Sequence, residues 1–163
     1  MSEQDVAGKS AITLPAEREI RIERIFDAPR DRVFAAHTDP ELIPQWWGPR
    51  GVTTVVEEMD ATTGGAWRFL MRDSDGSETI FRGIYREVAP PERIVQTFEW
   101  DGMPGYVSVD TASFEDLGDR TRIVTTSVFH TAEERDGMLE SGMESGLNET
   151  YARLDELLAK QAG

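Results

Sequence analysis

The chain has 163 residues, 39% of them hydrophobic and 9% aromatic, enough for one domain with a substantial core and too apolar to stay disordered. Its formal charge of −14 argues against nucleic acid as a partner, because phosphate binding needs concentrated Lys and Arg, and it opposes adhesion to anionic membranes. With no cysteine there are no disulfides, thiolate nucleophiles or cysteine metal sites, and no apolar run reaches the roughly 18 residues of a membrane span. A cytoplasmic protein without membrane insertion is the expectation.

Residues 1–16 are expected to form a flexible leader, since Met1 to Ser10 is polar and lacks the apolar stretch of a secretory signal. A single domain is expected over 17–161. Glu19 to Phe26 alternates charged and apolar side chains, the period of a half-buried strand. Asp27-Ala28-Pro29 breaks it, Pro29 suits the first turn of a helix, and Arg30 to His37 reads as a short amphipathic one. Asp39, as a cap before Pro40, begins a second short helix.

The next segment, Leu42-Ile43-Pro44-Gln45-Trp46-Trp47-Gly48-Pro49-Arg50-Gly51, sets adjacent tryptophans on a stretch too broken for a long helix. Two such rings side by side do not bury on one face. One is expected in the core and the other at the border of a cavity, with the assignment open.

Strands then follow at Val52–Met59, Gly65–Arg72, Glu78–Val88, Arg93–Trp100, Tyr106–Glu115 and Arg120–His130. Asp75-Gly76 is a hairpin signal, Pro90-Pro91 ends one strand, and Asp116-Leu117-Gly118-Asp119 turns the last pair. Short turns between consecutive strands predict an antiparallel meander.

A helix over about Ala132–Lys160 closes the chain, with Thr131 as its cap and Glu134 placed for a capping box. Leu139, Met143, Leu147, Tyr151, Leu154 and Leu158 form one apolar stripe. Gly137, Gly142 and Gly146 each cost about 0.5–1 kcal/mol relative to Ala. Either close approach to the sheet or room for a ligand accounts for them.

This order predicts an α+β helix-grip fold. A curved antiparallel sheet of about six or seven strands wraps around a long C-terminal helix, with two short helices after the first strand. A concave sheet cannot touch the helix everywhere, so space remains between them.

Particular motifs carry a likeness from about Glu19 to Leu158. They are Phe26-Asp27-Ala28-Pro29 with Val33-Phe34-Ala35-Ala36, Gln45-Trp46-Trp47-Gly48-Pro49, Gly64-Gly65 with Trp67-Arg68-Phe69, Phe81-Arg82-Gly83-Ile84-Tyr85-Arg86-Glu87-Val88 and Pro90-Pro91-Glu92-Arg93-Ile94. Phe114-Glu115-Asp116-Leu117-Gly118 and Leu154-Asp155-Glu156-Leu157-Leu158 complete the set. In this order they resemble the helix-grip START-like (SRPBCC) superfamily, which includes polyketide cyclases and plant Bet v 1-type proteins. Within it the chain is most similar to small bacterial proteins related to the C-terminal domain of the Hsp90 ATPase activator. The resemblance implies an internal cavity but no single activity. Members bind lipids, hormones or polyketide-like molecules, and some catalyse cyclisation or dehydration. Relatives often carry a Gly-Trp pair in the final helix, where this chain has Gly146-Leu147-Asn148. The eukaryotic co-chaperone grips its chaperone through a separate N-terminal domain, for which no room is expected in these 163 residues.

Strand alternation turns Trp67, Phe69, Met71, Phe81, Phe98 and Phe114 to one face. With Trp46, Trp47, Tyr106, Met138, Leu139, Gly142 and Met143 they are the expected ligand-binding wall for a small lipid-like, aromatic or polyketide-like molecule. If Phe114 faces inward, so does Asp110. A carboxyl in an apolar cup has a raised pKa and serves as a general acid or base. The competing readings pair it with Arg68 or Arg72, or leave it exposed. Glu99 and His130 are further catalytic candidates. His37 reads as a helix-terminal cation, and Arg50 as a rim contact for an anionic head group.

Two histidines without ligand spacing predict no metal site, and no cofactor is expected. No Gly-x-Ser-x-Gly elbow supports acyl transfer. Binding without catalysis is the leading expectation, with a cyclase or dehydratase and a chaperone accessory as alternatives. A homodimer is compatible with a domain of this size, but no residue marks its interface.

Overall fold

In Glu19–Phe26 (β2) the alternation does what a half-buried strand requires: Ile20, Ile22 and Phe26 are buried while Arg21 faces solvent. The structure, a computed structural model, describes residues 10–162. The other strands are β1 (Ala11–Thr13), β3 (Thr53–Met59), β4 (Ala66–Arg72), β5 (Glu78–Ala89), β6 (Arg93–Trp100), β7 (Val107–Asp116) and β8 (Thr121–Val128). Helices α1 (Arg30–Thr38), α2 (Ala132–Glu140) and α3 (Met143–Ala162) and a 3₁₀ turn at Ile43–Gln45 complete the chain.

All eight strands form one sheet in the order β1-β2-β8-β7-β6-β5-β4-β3, with every pairing antiparallel. Strands β3 to β8 make the expected meander, and β2 joins its far edge with Glu19 opposite Val128. Together with α3 this is the α+β helix-grip architecture. The eighth strand, β1, falls within the stretch expected as a leader and pairs with β2, Ala11 opposite Glu23. Residues 1–9 of that leader lie outside the described residues.

Two helix expectations change. The second short helix is only the 3₁₀ turn, because Pro44 and the glycines behind it leave no room for a longer one. The C-terminal helix is broken at Ser141-Gly142 into α2 and α3. Gly142 adopts φ +85°, a left-handed conformation that glycine takes without steric cost. At the start of α2 the cap forms as expected: Glu134 N–H donates to Thr131 Oγ1 at 3.1 Å, and the Thr131 hydroxyl donates to Glu134 Oε2 at 3.0 Å.

The core is densest where α3 meets β2 and β8. Leu154 and Leu158 are fully buried there with Ile20 and Phe26, and the Phe26 and Tyr151 rings meet edge to face at 5.1 Å. Arg24 is also buried. It donates to Asp155 Oδ2 at 2.6 Å and lies against the Phe26 and Tyr151 rings. A buried guanidinium is tolerable only when paired, so this contact pins the helix to the sheet.

Candidate functional site

The two tryptophans divide as the sequence requires. Trp46 is 3% exposed. Its Nε1 donates to the Ala36 carbonyl at 2.9 Å, and its ring lies against His37 and Tyr151. Trp46 is therefore the core ring. Trp47 turns the other way and stays partly exposed, edge-on to Phe69 at 5.1 Å and to Phe81 at 5.6 Å. Phe81 stacks on Phe98 at 5.2 Å, and Phe98 meets Trp67 at 5.9 Å.

These rings define the concave face of β4, β5 and β6. Trp67, Phe69 and Phe114 form its buried floor, while Trp47, Met71, Phe81 and Phe98 keep accessible surface. Met138, Leu139 and Met143 pack against the same cluster from above.

A polar line crosses this face. Tyr85 on β5 is opposite Gln96 on β6, Gln96 opposite Asp110 on β7, and Asp110 opposite Ser127 on β8. Asp110 accepts hydrogen bonds from Ser108 Oγ at 3.3 Å and from the Ser127 hydroxyl. Burial pushes its carboxyl up to about 6, more than the two hydroxyls pull it down. It pairs with neither Arg68, which donates to Glu57, nor Arg72, which donates to Glu78. Tyr151 reaches the same face from α3, in hydrogen-bonding contact with Thr125, and burial raises its phenol pKa.

Other candidates are placed elsewhere. Glu99 lies on the convex face, where it accepts from Gly105 N–H and Arg82; these bonds lower its pKa, the opposite of what a general acid needs. Its odd position between the inward Phe98 and Trp100 is the reason. His130 is exposed past the end of β8. Tyr106 is 53% exposed in the loop before β7, and Met103 in the same loop and Val107 at the start of β7 are exposed as well. Gly142 and Leu139 line an open groove of about 750 Å³ with Arg50, Glu140 and Glu149. Arg50 itself pairs with Glu156 and is not free for an anionic head group.

His37 is corrected in the other direction. Its ring packs against Trp46 at 4.8 Å and Phe114 at 5.2 Å, and Nδ1–H donates to the Val33 carbonyl at 2.8 Å. Burial lowers its pKa to about 4, so at neutral pH it is an uncharged aromatic rather than a terminal cation.

Neither Gly137 nor Gly146 approaches another element: among the described residues a Cβ at either position would meet no atom within 4 Å beyond its own helix backbone. The close approach that would explain a glycine occurs instead at Gly83. There a side chain would overlap the Thr97 carbonyl and the Trp67 indole nitrogen.

Sequence reasoning did not join Gln96, Tyr85 and Ser127 to Asp110. Alternation within each strand gives the face, but only the register between strands aligns them. Among the described residues no group of three His, Asp or Glu side chains is placed to hold a metal ion. No helix among them is long and apolar enough to cross a membrane.

Residues 27–159 match the family of Activator of Hsp90 ATPase homolog 1-like proteins. The chain belongs to that family. Solved structures of similar fold include a Rhodobacter sphaeroides protein (24% identity, covering 93% of this chain and 99% of that one, TM-score 0.87). Another is an Arthrobacter aurescens protein (27% identity, 92% and 91%, TM-score 0.84). A protein from the dynemicin biosynthetic locus shares the fold at 20% identity, over 89% of this chain and 48% of that one, with TM-score 0.62. No curated protein matches the chain. The stretch matched to the Activator of Hsp90 ATPase homolog 1-like family takes in both tryptophans, the aromatic face and the polar line.

Proposed function

We propose that this protein binds a small hydrophobic molecule, lipid-like, aromatic or polyketide-like, between the concave face of β4–β6 and the segment spanning α2 and the start of α3. One observation carries the reading. Trp47, Met71, Phe81 and Phe98 face the inside of a folded domain, yet each keeps solvent-accessible surface. Aromatic side chains normally lose that surface to packing. Held together on one concave wall, they make the apolar lining of a small-molecule site.

Native mass spectrometry of protein purified from its own cells, with Trp47 fluorescence against a hydrophobic ligand panel, tests this. A retained small molecule, or quenching that Trp47→Phe abolishes, is the expected result. No retained species and no quenching by any panel member overturns it.

Asp110 favours a second reading, an enzyme of the cyclase or dehydratase kind. A carboxyl that titrates near pH 6 inside an apolar cup is suited to moving a proton near neutrality. In that case Asp110→Asn removes turnover and leaves binding intact. The exposed Met103, Tyr106 and Val107 around the β6–β7 loop are the apolar side chains that a chaperone-accessory role would use, and stimulation of a chaperone ATPase is its test.

A further inference from the structure

We infer that the ligand carries a neutral hydroxyl, and that the line Tyr85–Gln96–Asp110–Ser127 is the subsite that holds it. This rests on the binding reading above and adds the chemical class of the molecule bound. The line is continuous, since each member is the direct cross-strand partner of the next. Directly opposed side chains on one face stand about 4.5–5.5 Å apart at Cβ, so the polar groups of neighbours reach a common ligand atom.

Their bonding within the protein is incomplete. A carboxylate offers about four acceptor sites, and among the described residues Asp110 uses its own for the Ser108 and Ser127 hydroxyls alone. The Gln96 amide, with both donors and an acceptor, makes no side-chain hydrogen bond among the described residues, and neither does the Tyr85 hydroxyl, although Tyr85 is only 2% exposed. On the adjoining row, Trp67 Nε1–H is buried without a partner where it passes over Gly83. A hydrocarbon would leave these groups unpaired, which is costly. A hydroxyl accepts from Gln96 or Tyr85 while donating to Asp110.

The charge around the line sets the second half of the inference. Arg68, Arg72 and Arg82 on neighbouring strands are tied to Glu57, Glu78 and Glu99 on the convex face. Arg24, on the concave face of β2, is two rows away and held by Asp155. No cation faces Asp110 from the line itself, so an anionic head group meets a carboxylate with nothing to offset it. The site therefore selects alcohols and phenols against both hydrocarbons and carboxylates, a specificity built from unmet bonds and like charge.

Three probes of one shape test it: 2-naphthol, 2-methylnaphthalene and 2-naphthoate, titrated at pH 8 and followed by tryptophan fluorescence and calorimetry. The wild-type protein is expected to bind the naphthol about tenfold or more tighter than the methyl compound, with the naphthoate weakest. Gln96→Leu should shrink the naphthol preference to about threefold or less while keeping affinity for the methyl compound. Asp110→Asn should restore binding of the naphthoate. Equal affinity for naphthol and methylnaphthalene in the wild-type protein overturns this inference and leaves the binding reading standing. No binding of any of the three also overturns this inference, and the binding reading falls with it only when the wider hydrophobic panel fails too. The wild-type ranking decides the matter alone if either variant fails to fold.

Discussion

The two sides of the sheet meet the long helix very differently. On the β2–β8 side, Ile20, Ile22, Arg24 and Phe26 are all buried against Tyr151, Leu154 and Leu158. On the β5–β6 side, Phe81, Gln96 and Phe98 keep partial exposure, and Trp100 at the rim is 42% exposed. The chain supplies apolar side chains to both, so composition does not make the difference. Curvature does: a straight helix seated in one flank of a twisted concave sheet cannot fill the other. One flank is a core, and the other is a surface turned inward.

The sharpest test of that contrast is within the tryptophan pair. Trp46→Ala, on the core side, is expected to cost about 3–5 kcal/mol, and Trp47→Ala less than half of that, both read by chemical denaturation. Equal losses would make Trp47 ordinary packing and break the comparison. Leu154→Ala, at 0% exposure, should cost about 2–5 kcal/mol. Phe81→Ala should cost clearly less despite its larger side chain, because its ring is already partly hydrated.

Asp110→Asn comes next, with a gain of about 3 kcal/mol above pH 6. The native carboxyl titrates near 6 against an ordinary value of 3.8, so Asp110 destabilises the fold increasingly as pH rises between those values. His37, lowered to about 4 from 6.5, works the other way, because the unfolded chain takes up its proton first as pH falls. The wild-type stability is therefore expected to vary little between pH 4 and 6 on account of these two groups. Asp110→Asn should be more stable at pH 8 and should show stability rising with pH through that window. An unchanged profile in the variant would place Asp110 in solvent. The smallest effect belongs to Gly137→Ala, a gain of about 0.5–1 kcal/mol, since a Cβ there meets nothing within 4 Å. A loss would show that α2 packs more tightly than the exposed Gly137 indicates.

Strand positions were legible because alternation and turn residues are local signals. Asp75-Gly76 and Asp116 to Asp119 mark their hairpins, and Gly76 and Gly118 take positive φ as such turns need. The face of Asp110 was legible for the same reason, from its parity with Phe114. Its neighbours were not, because Gln96 and Ser127 reach it through the β6–β7 and β7–β8 registers, which no signal within one strand specifies. His37 was misread because helix position alone gave it a charge, and only the Trp46 and Phe114 rings take it away. The helix break was hidden for a related reason: the apolar stripe continues through Leu139, Met143 and Leu147, so periodicity runs straight across Gly142 although the backbone does not.

That break has a consequence for how the domain opens. α2 contributes no fully buried side chain, and Ser141-Gly142 uncouples its hydrogen-bond ladder from that of α3. Its ties to the rest run through Met138 and Leu139 and through the Arg135 guanidinium, which donates to the carbonyls of Ala16 and Glu19. Segments held so lightly unfold locally at a fraction of the global free energy. Amide protons of 132–140 should thus exchange well before those of 151–158, because a local opening of α2 uncovers the aromatic wall and leaves the core untouched.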